Sequence, residues 1–269
     1  MSAPFEHPER KAMRKSLRRL ERHITGLKPD HQIAPSEIDQ IQFMPMVLDE
    51  NSMDRPTFFT PLNESLLEAP DDKYDEENEM GYDTYDSIPE DWRDPKTCAQ
   101  AISIYWYTYL SRYSLGKQPP GGEIVWSPVE INNAVYKYKD LYRFDFPQFG
   151  YDDIEQVAHG PYAHVMATIH NNLNTDDDHI LQGELLAILR LMIAHLRRGR
   201  FIDHMVSPIM AFSLVGPQHA RVIETYMEGH NVVVRRTKLY DLRTKDAAAF
   251  KTFAQWYFGK PRAPTGQSQ

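Results

Sequence analysis

The most apolar run of the chain, GELLAILRLMIAHLRRGR at residues 183–200, has a carboxylate at its start and an imidazole near its end. Glu184 and His195 are residue types that act as general acid and base when they lie within hydrogen-bond distance of the reacting group. A helix rises about 1.5 Å per residue, so about 16 Å separates the two side chains and they cannot meet. We therefore interpret Glu184 as a carboxylate that favours the positive end of a helix, with Arg197 and Arg198 matched to its negative end.

The other residues that could carry chemistry do not form a recognisable motif. Most histidines lie between residues 159 and 230, but no two stand four residues apart and no His-Glu-x-x-His occurs. Asp203 and His204 are adjacent, and adjacent side chains point apart. No nucleophile elbow or phosphate-binding glycine loop is present, and the single cysteine, Cys98, is interpreted as a small packed residue. The sequence predicts neither a metal site nor a bound cofactor.

Aromatic residues are concentrated in a predicted helix that begins at Asp94-Pro95 and ends at Gly116. They could stack on bases, but aromatics at helical spacing more often belong to a core. A small-molecule pocket lined by Trp106, Tyr109 and Tyr138 is retained as one hypothesis.

The N-terminal segment at residues 9–24 is basic and amphipathic. One stripe of a helix would carry Met13, Leu17, Leu20 and Ile24. The opposite face offers Arg14, Arg18 and Arg22 as candidate binding residues. Three hypotheses remain: docking on this protein or a partner, nuclear import or nucleic-acid binding, and lying on a membrane surface. We expect removal of residues 1–27 to leave the melting temperature of the rest nearly unchanged.

The segment at residues 64–94 is strongly acidic, with thirteen carboxylates against Lys73 and Arg93. Such a segment repels itself and indicates a flexible linker or surface loop, which could also neutralise the basic helix. The predicted organisation is a basic helix at residues 1–27, a linker at 28–93, a single α+β domain at 94–261, and a tail at 262–269. The linker has scattered prolines in its first part, is acidic in its second part, and is predicted to be partly disordered.

The region after residue 94 is predicted to be mainly helical. Further helices are expected at residues 131–142 and 152–173, the latter broken at Gly160-Pro161. From residue 177 the order is helix, three strands and helix, with a two-residue turn at Gly229-His230 between the second and third strands. The predicted fold class is α+β, mainly helical, with a small C-terminal antiparallel β-meander.

Composition limits the class of protein. A net charge of −8 argues against a protein that coats nucleic acid, and one cysteine excludes an internal disulfide. The sequence contains no run of about 20 uncharged apolar residues that could span a membrane, and no secretory signal is visible. These features indicate an intracellular protein, cytoplasmic or nuclear.

Residues 177 to about 261 contain the leucine-rich run quoted above, SPIMAFSLVGPQHAR and KLYDL. This stretch of sequence resembles a recurrent C-terminal module of uncharacterised filamentous-fungal proteins. Those proteins share a similar leucine-rich helix, a strand with the pattern SP-apolar-FSL-GPQHAR and a KLYD ending. The resemblance covers about a third of the chain and implies no particular activity.

The order of helix, three strands and helix is also similar to the core of PD-(D/E)xK nucleases. That resemblance implies a divalent metal held by an acid two residues before a lysine, but Arg236 stands at that spacing before Lys238. A degenerate site would have to use Glu184, Asp203 and Glu224 with Mg²⁺.

Two functions follow as hypotheses. The leading one is a non-catalytic interaction or regulatory protein with an unknown protein partner, nucleic acid being a less favoured partner. The alternative is a metal-dependent, nucleic-acid-processing enzyme of the degenerate PD-(D/E)xK type.

Overall fold

The computed structural model describes residues 6–77, 80–114, 125–129 and 141–262. Their helices are α1 (Pro8–Thr25), α2 (Asp72–Glu77), α3 (Pro95–Ser114), α4 (Gln182–Leu196) and α5 (Ala247–Tyr257), with 3₁₀ turns at Glu64–Leu66, Glu90–Trp92 and Gly199–Phe201. The helix starts follow local chemistry: Pro8 and Pro95 occupy first positions, and Asp246 accepts a hydrogen bond from the Ala249 N–H. None of the described helices is long and apolar enough to cross a membrane.

The strands form one large mixed sheet and two short pairs. They are β1 (Gln32–Ile33), β2 (Ile41–Pro45), β3 (Phe59–Thr60), β4 (Trp126–Pro128), β5 (Phe149–Val157), β6 (Val165–Asn174), β7 (Ile180–Leu181), β8 (Ile209–Gly216), β9 (His219–Glu228), β10 (Asn231–Arg236), β11 (Tyr240–Asp241) and β12 (Lys260–Pro261). The eight-stranded sheet has the order β2-β10-β9-β8-β6-β5-β4, with β11 paired to β9. The β2–β10 and β6–β8 pairs are parallel and the others are antiparallel.

Helices cover both faces of this sheet. On one face, called the α4 side, α4 packs on the strands and α1 packs on α4. On the other face, called the α3 side, α3 and α5 share a core that is rich in aromatic residues. Side chains alternate between the two faces along each strand. Ile223, for example, belongs to the α4 side and Val222 to the α3 side. The sheet is therefore the middle layer of three.

The prediction of a mainly helical fold with a small C-terminal β-meander is wrong. Residues 152–173, predicted as a broken helix, belong to β5 and β6, which lie within the large sheet. The first half of β6, VMATI, is buried on both faces and therefore does not alternate, and the acids of DDIEQ in β5 also suit the first turn of a helix. The predicted helix at residues 131–142 lies mostly outside the described residues. The β9–β10 hairpin is confirmed, with Gly229 at φ +59° in its turn.

Every residue of the central helix α4 is buried. A helix with apolar residues on all sides is expected to be enclosed in this way. Helix α4 connects β6 to β8, and parallel neighbours in a sheet require such a crossover connection. Helix α1 lies antiparallel to it. Arg10, near the start of α1, donates to the carbonyls of Leu196 and Phe201 beyond the last turn of α4, while Gln182 at the start of α4 donates to the carbonyl of Ile24. These bonds satisfy groups that a helix end leaves without partners.

The apolar stripe of α1 belongs to the core. Met13, Leu17, Leu20 and Ile24 are each at most 4% exposed and pack in the cluster that contains α4. Removal of residues 1–27 should therefore destabilise the rest of the protein, contrary to the expectation from the sequence.

A matched pair of α1 variants tests this packing. Leu17→Ala should lower the free energy of unfolding by about 2–5 kcal/mol because it leaves a cavity in a closed core. Lys15→Ala, on the exposed face of the same helix, should change it by less than about 0.5 kcal/mol. Urea denaturation measures both values, and equal stabilities would contradict the placement of α1 in the core.

Candidate functional site

The three carboxylates proposed as metal ligands lie in three separate environments. Glu184 is fully buried in the first turn of α4, on the α4 side of the sheet. Asp203 is exposed and follows the 3₁₀ turn beyond the other end of that helix. Glu224 is buried on β9, and its contacts are on the α3 side. Among the described residues, no group of three or more His, Cys, Asp or Glu side chains could hold a metal ion. The structure does not bring these carboxylates together.

Glu184 is held by an arginine from the sheet. Its Oε1 accepts hydrogen bonds from Ser213 Oγ at 2.7 Å and Arg221 Nε at 2.9 Å. Its Oε2 accepts from the Leu181 N–H at 2.8 Å and from Arg221 Nη2. A carboxylate offers about four acceptor positions, so all are used and none remains to bind a metal ion.

The pKa of Glu184 reflects two opposing effects. Burial raises the pKa, but the charge and hydrogen bonds of Arg221, with the bonds from Leu181 and Ser213, outweigh it and hold the pKa below the ordinary value. The carboxyl is therefore ionised at neutral pH within a closed ion pair.

Arg221 also fixes the loop that precedes α4. Its Nη1 donates to the carbonyls of Asp176 at 3.3 Å and His179 at 2.8 Å. Arg236 on β10 donates to the carbonyl of Asp177 at 2.8 Å and also to that of His179. The two arginines hold the loop at residues 176–179 against the sheet, which is a structural role.

Glu224 has a comparable structural role on the α3 side. Its carboxylate accepts the backbone N–H groups of Thr57 at 2.8 Å and Phe58 at 2.7 Å, and Arg235 Nη1 lies 3.5 Å from its Oε2. Burial raises the pKa of Glu224, and these N–H groups and Arg235 offset part of that rise. The carboxylate anchors the segment that leads into β3.

The aromatic residues proposed to line a pocket form a filled core. Trp106 is 2% exposed, and its ring lies 5.7 Å from those of Phe212 and Tyr257. Tyr109 is fully buried and its hydroxyl donates to the carbonyl of Glu68 at 2.6 Å. Tyr138 lies outside the described residues. The two described rings contribute to packing and do not line an open cavity.

A groove of about 420 Å³ lies elsewhere, between the loop at residues 48–51, the segment at 61–64 and the end of α5. Most of its exposed lining is polar, and two of its apolar members, Leu62 and Trp256, are buried. None of the residues proposed from the sequence lines this groove.

The basic residues of α1 divide into two groups. Arg10 and Arg14 pair with Glu6, and Arg190 of α4 pairs with Glu21. Five cations are exposed instead, and we call them the basic face: Lys11, Lys15, Arg18, Arg19 and Arg22. Within the described part of the chain, none of the five forms an ion pair. Arg18 and Arg22 were proposed from the sequence as binding residues, whereas Arg14 is already paired.

The acidic segment does not cover the basic face. Asp72 and Asp75 pair with Lys245, and Glu68 pairs with Arg112 of α3. These contacts place the described part of the segment on the α3 side, whereas α1 is on the α4 side. Neutralisation of the basic helix by this segment within one molecule is therefore not observed.

Sequence reasoning missed a buried carboxyl pair on β5. Asp153 accepts hydrogen bonds from the Thr168 N–H at 2.8 Å and the Tyr257 hydroxyl at 2.6 Å. Burial and, second, the charge of Asp153 raise the pKa of Glu155 to about 8. Such shifts are common at functional sites, but buried structural groups show them as well. In the sequence DDIE, Asp153 and Glu155 stand two residues apart, as neighbours on one face of a strand do. This signal was overlooked because a helix was predicted there.

Sequence reasoning also missed His164, which is completely buried. Its ring lies 5.3 Å from that of Phe59 and 5.8 Å from that of Tyr162, and neither ring nitrogen has a hydrogen-bond partner among the described residues. Burial lowers the pKa of His164 to about 3. The imidazole is therefore neutral at physiological pH.

Substitution of Glu184 tests its structural role. Glu184→Gln should lower the free energy of unfolding by about 3–5 kcal/mol because it leaves Arg221 charged and buried without its counterion. Because the pKa of Glu184 is lower in the folded protein than in the unfolded chain, its ionised carboxylate stabilises the fold above pH 4.5. This stabilisation is lost as the pH falls and the carboxylate is protonated. Chemical denaturation at neutral pH and in acid measures both effects. Glu228→Gln, at an exposed site, is the control, and a fully stable Glu184→Gln variant would contradict the structural role.

The pH dependence of stability tests His164. Its pKa is about 3 in the folded protein and about 6.5 in the unfolded chain, so the unfolded chain binds the proton more tightly between these values. Stability due to the neutral ring is complete above pH 6.5 and falls by up to about 1.4 kcal/mol per pH unit below it. His164→Phe should remove this slope, as measured by denaturation from pH 7 to pH 4. An unchanged slope would show that His164 does not titrate on unfolding.

Comparisons with family models, with curated proteins and with solved structures found no match. The resemblances to the filamentous-fungal module and to the PD-(D/E)xK core therefore remain predictions. The geometry of the described residues is the basis for proposing a function.

Proposed function

We propose that this chain is a non-catalytic interaction protein of the cytoplasm or nucleus, and that the basic face of α1 binds an acidic surface of a protein partner. The observation that carries the proposal is five exposed cations without an ion pair in the described chain, on a helix whose apolar residues are all buried. They extend from Lys11 to Arg22, or about 16 Å along the helix. Such a surface attracts anionic partners and speeds their encounter.

The burial of the apolar stripe argues against a membrane partner. A helix that lies on a membrane inserts its apolar face, but Leu17 and Leu20 are occupied in the core. A long nucleic acid is also a poorer fit. A duplex extending beyond α1 would meet the rest of a chain whose net charge is −8. A local acidic surface on a protein matches the size and sign of the basic face.

The enzyme hypothesis finds no support in the carboxylates on which it depends. Glu184 and Glu224 are occupied by arginines and backbone N–H groups, and Asp203 lies apart from both. The interaction hypothesis needs no such convergence. It is therefore the better supported of the two.

Charge reversal on α1 tests the proposed function. Binding of a fluorescent polyglutamate peptide of about 10 residues, long enough to cover the basic face, is measured by anisotropy at low salt. Arg18→Glu with Arg19→Glu should weaken binding about tenfold or more, because two attractions become repulsions. Affinity should also fall as salt screens the charges.

Lys73→Glu with Lys238→Glu is the matched control, since it changes the net charge equally at exposed sites away from α1. It should have less than about a twofold effect. Equal weakening by the two double variants would show that only net charge matters. If a short DNA duplex bound more tightly than the peptide, the proposed protein partner would be wrong and a nucleic acid would be the better candidate.

A further inference from the structure

A second charged surface lies on the opposite side of the protein. It is the acidic strip, defined here as Asp83, Asp86, Glu90 and Asp91, all exposed. Trp92 follows it directly and is 62% exposed. Of the four carboxylates, only Asp86 has an ion-pair partner within the described residues, Arg93 at 4.0 Å, and its own side chain is 93% exposed. The strip is therefore available for contacts with another molecule.

The acidic strip has a fixed position although its side chains are exposed. The Tyr85 N–H donates to the carbonyl of Arg243 at 2.8 Å, and Arg93 Nε donates to the carbonyl of Ile88 at 2.8 Å. Ile88 is buried against Cys98 of α3. These contacts join the strip to the α3 side. It thus presents its carboxylates in a defined arrangement, as a docking surface requires.

The two charged surfaces cannot pair within one molecule. The basic face lies outside α4 and the acidic strip lies beside α3, with the sheet between them. With layers about 10 Å apart, the separation is on the order of 30 Å. That distance is several times the screening length of about 8 Å at physiological salt. Within the part of the chain that the structure describes, neither surface can neutralise the other.

We infer that the basic face of one molecule binds the acidic strip of a second copy of the chain. This inference rests on the proposed function and names the partner. Four carboxylates face five cations, and an arginine such as Arg18 or Arg19 can stack on the exposed ring of Trp92. Arginine and tryptophan are the residue types that most often dominate binding energy at protein interfaces.

The geometry makes the contact head-to-tail. Different surfaces of the two copies meet, so each bound molecule still offers one free basic face and one free acidic strip. Association should therefore continue beyond the dimer as concentration rises. The two surfaces are small and charged, which is typical of weak, salt-dependent contacts.

Sedimentation velocity on the full chain tests the inference. At about 25 mM salt, where the screening length is about 20 Å, the mean mass should rise with protein concentration. At about 0.5 M salt, with a screening length of about 4 Å, the protein should be monomeric. A wild-type chain that stays monomeric at low salt up to high concentration would overturn the inference.

Two charge-reversed chains make the test specific. Arg18→Glu with Arg19→Glu lowers the charge of the basic face from +5 to +1, and Glu90→Lys with Asp91→Lys changes the charge of the acidic strip from −4 to zero. Each should be monomeric alone at low salt, and a mixture of the two should form one-to-one pairs, because the intact acidic strip of the first variant meets the intact basic face of the second. Lys73→Glu with Lys238→Glu should associate like the wild type.

The outcomes separate this inference from the proposed function. Association by either reversed chain alone, or a mixture that stays monomeric, would show that these two surfaces are not the contact. If polyglutamate binds the basic face while the wild-type chain remains monomeric, the proposed function stands and the partner is a different protein. If neither is observed, both are wrong.

Discussion

The buried ion pair between Glu184 and Arg221 is the contact on which the arrangement around α4 depends. Moving two charges out of water costs several kcal/mol each, and the cost is offset only where geometry and hydrogen bonds are complete. Here every acceptor position of the carboxylate is filled. The pair joins the first turn of α4 to β8 and β9, and Arg221 extends it to the loop at residues 176–179. It thereby fixes where the enclosed helix enters the core.

The complete burial of α4 also determines the role of α1. A helix enclosed by the sheet needs a cover on its remaining side, and α1 supplies Leu17 and Leu20 for it. Arg10 satisfies the carbonyls beyond the last turn of α4. Since the apolar and hydrogen-bonding capacity of α1 is used in this way, its remaining cations face solvent. The exposed basic face follows from the requirement to close the core.

Buried and exposed charged residues have different surroundings in this protein. The buried ones, Glu184, Glu224 and Arg221, have partners, and those contacts explain them without reference to a ligand. Among the exposed ones, the five cations of the basic face lie over the α4 side and the four carboxylates of the acidic strip lie over the α3 side. A net charge of −8 conceals this separation. The molecule therefore has two charged surfaces of opposite sign, with the sheet between them.

The sequence by itself determined the elements that depend on local signals. Helices α1, α3, α4 and α5 and the β9–β10 hairpin could be predicted because caps, helical periodicity and a two-residue turn act within a few residues. Arg18 and Arg22 could likewise be placed on an exposed helix face. Only the tertiary structure decided that β5 and β6 are strands, because β6 pairs with β8 across α4 and its first half is buried on both faces, without the alternation that marks a strand. It alone decided that Glu184 meets an arginine 37 residues away, since sheet pairing and layering choose the partner of a buried charge.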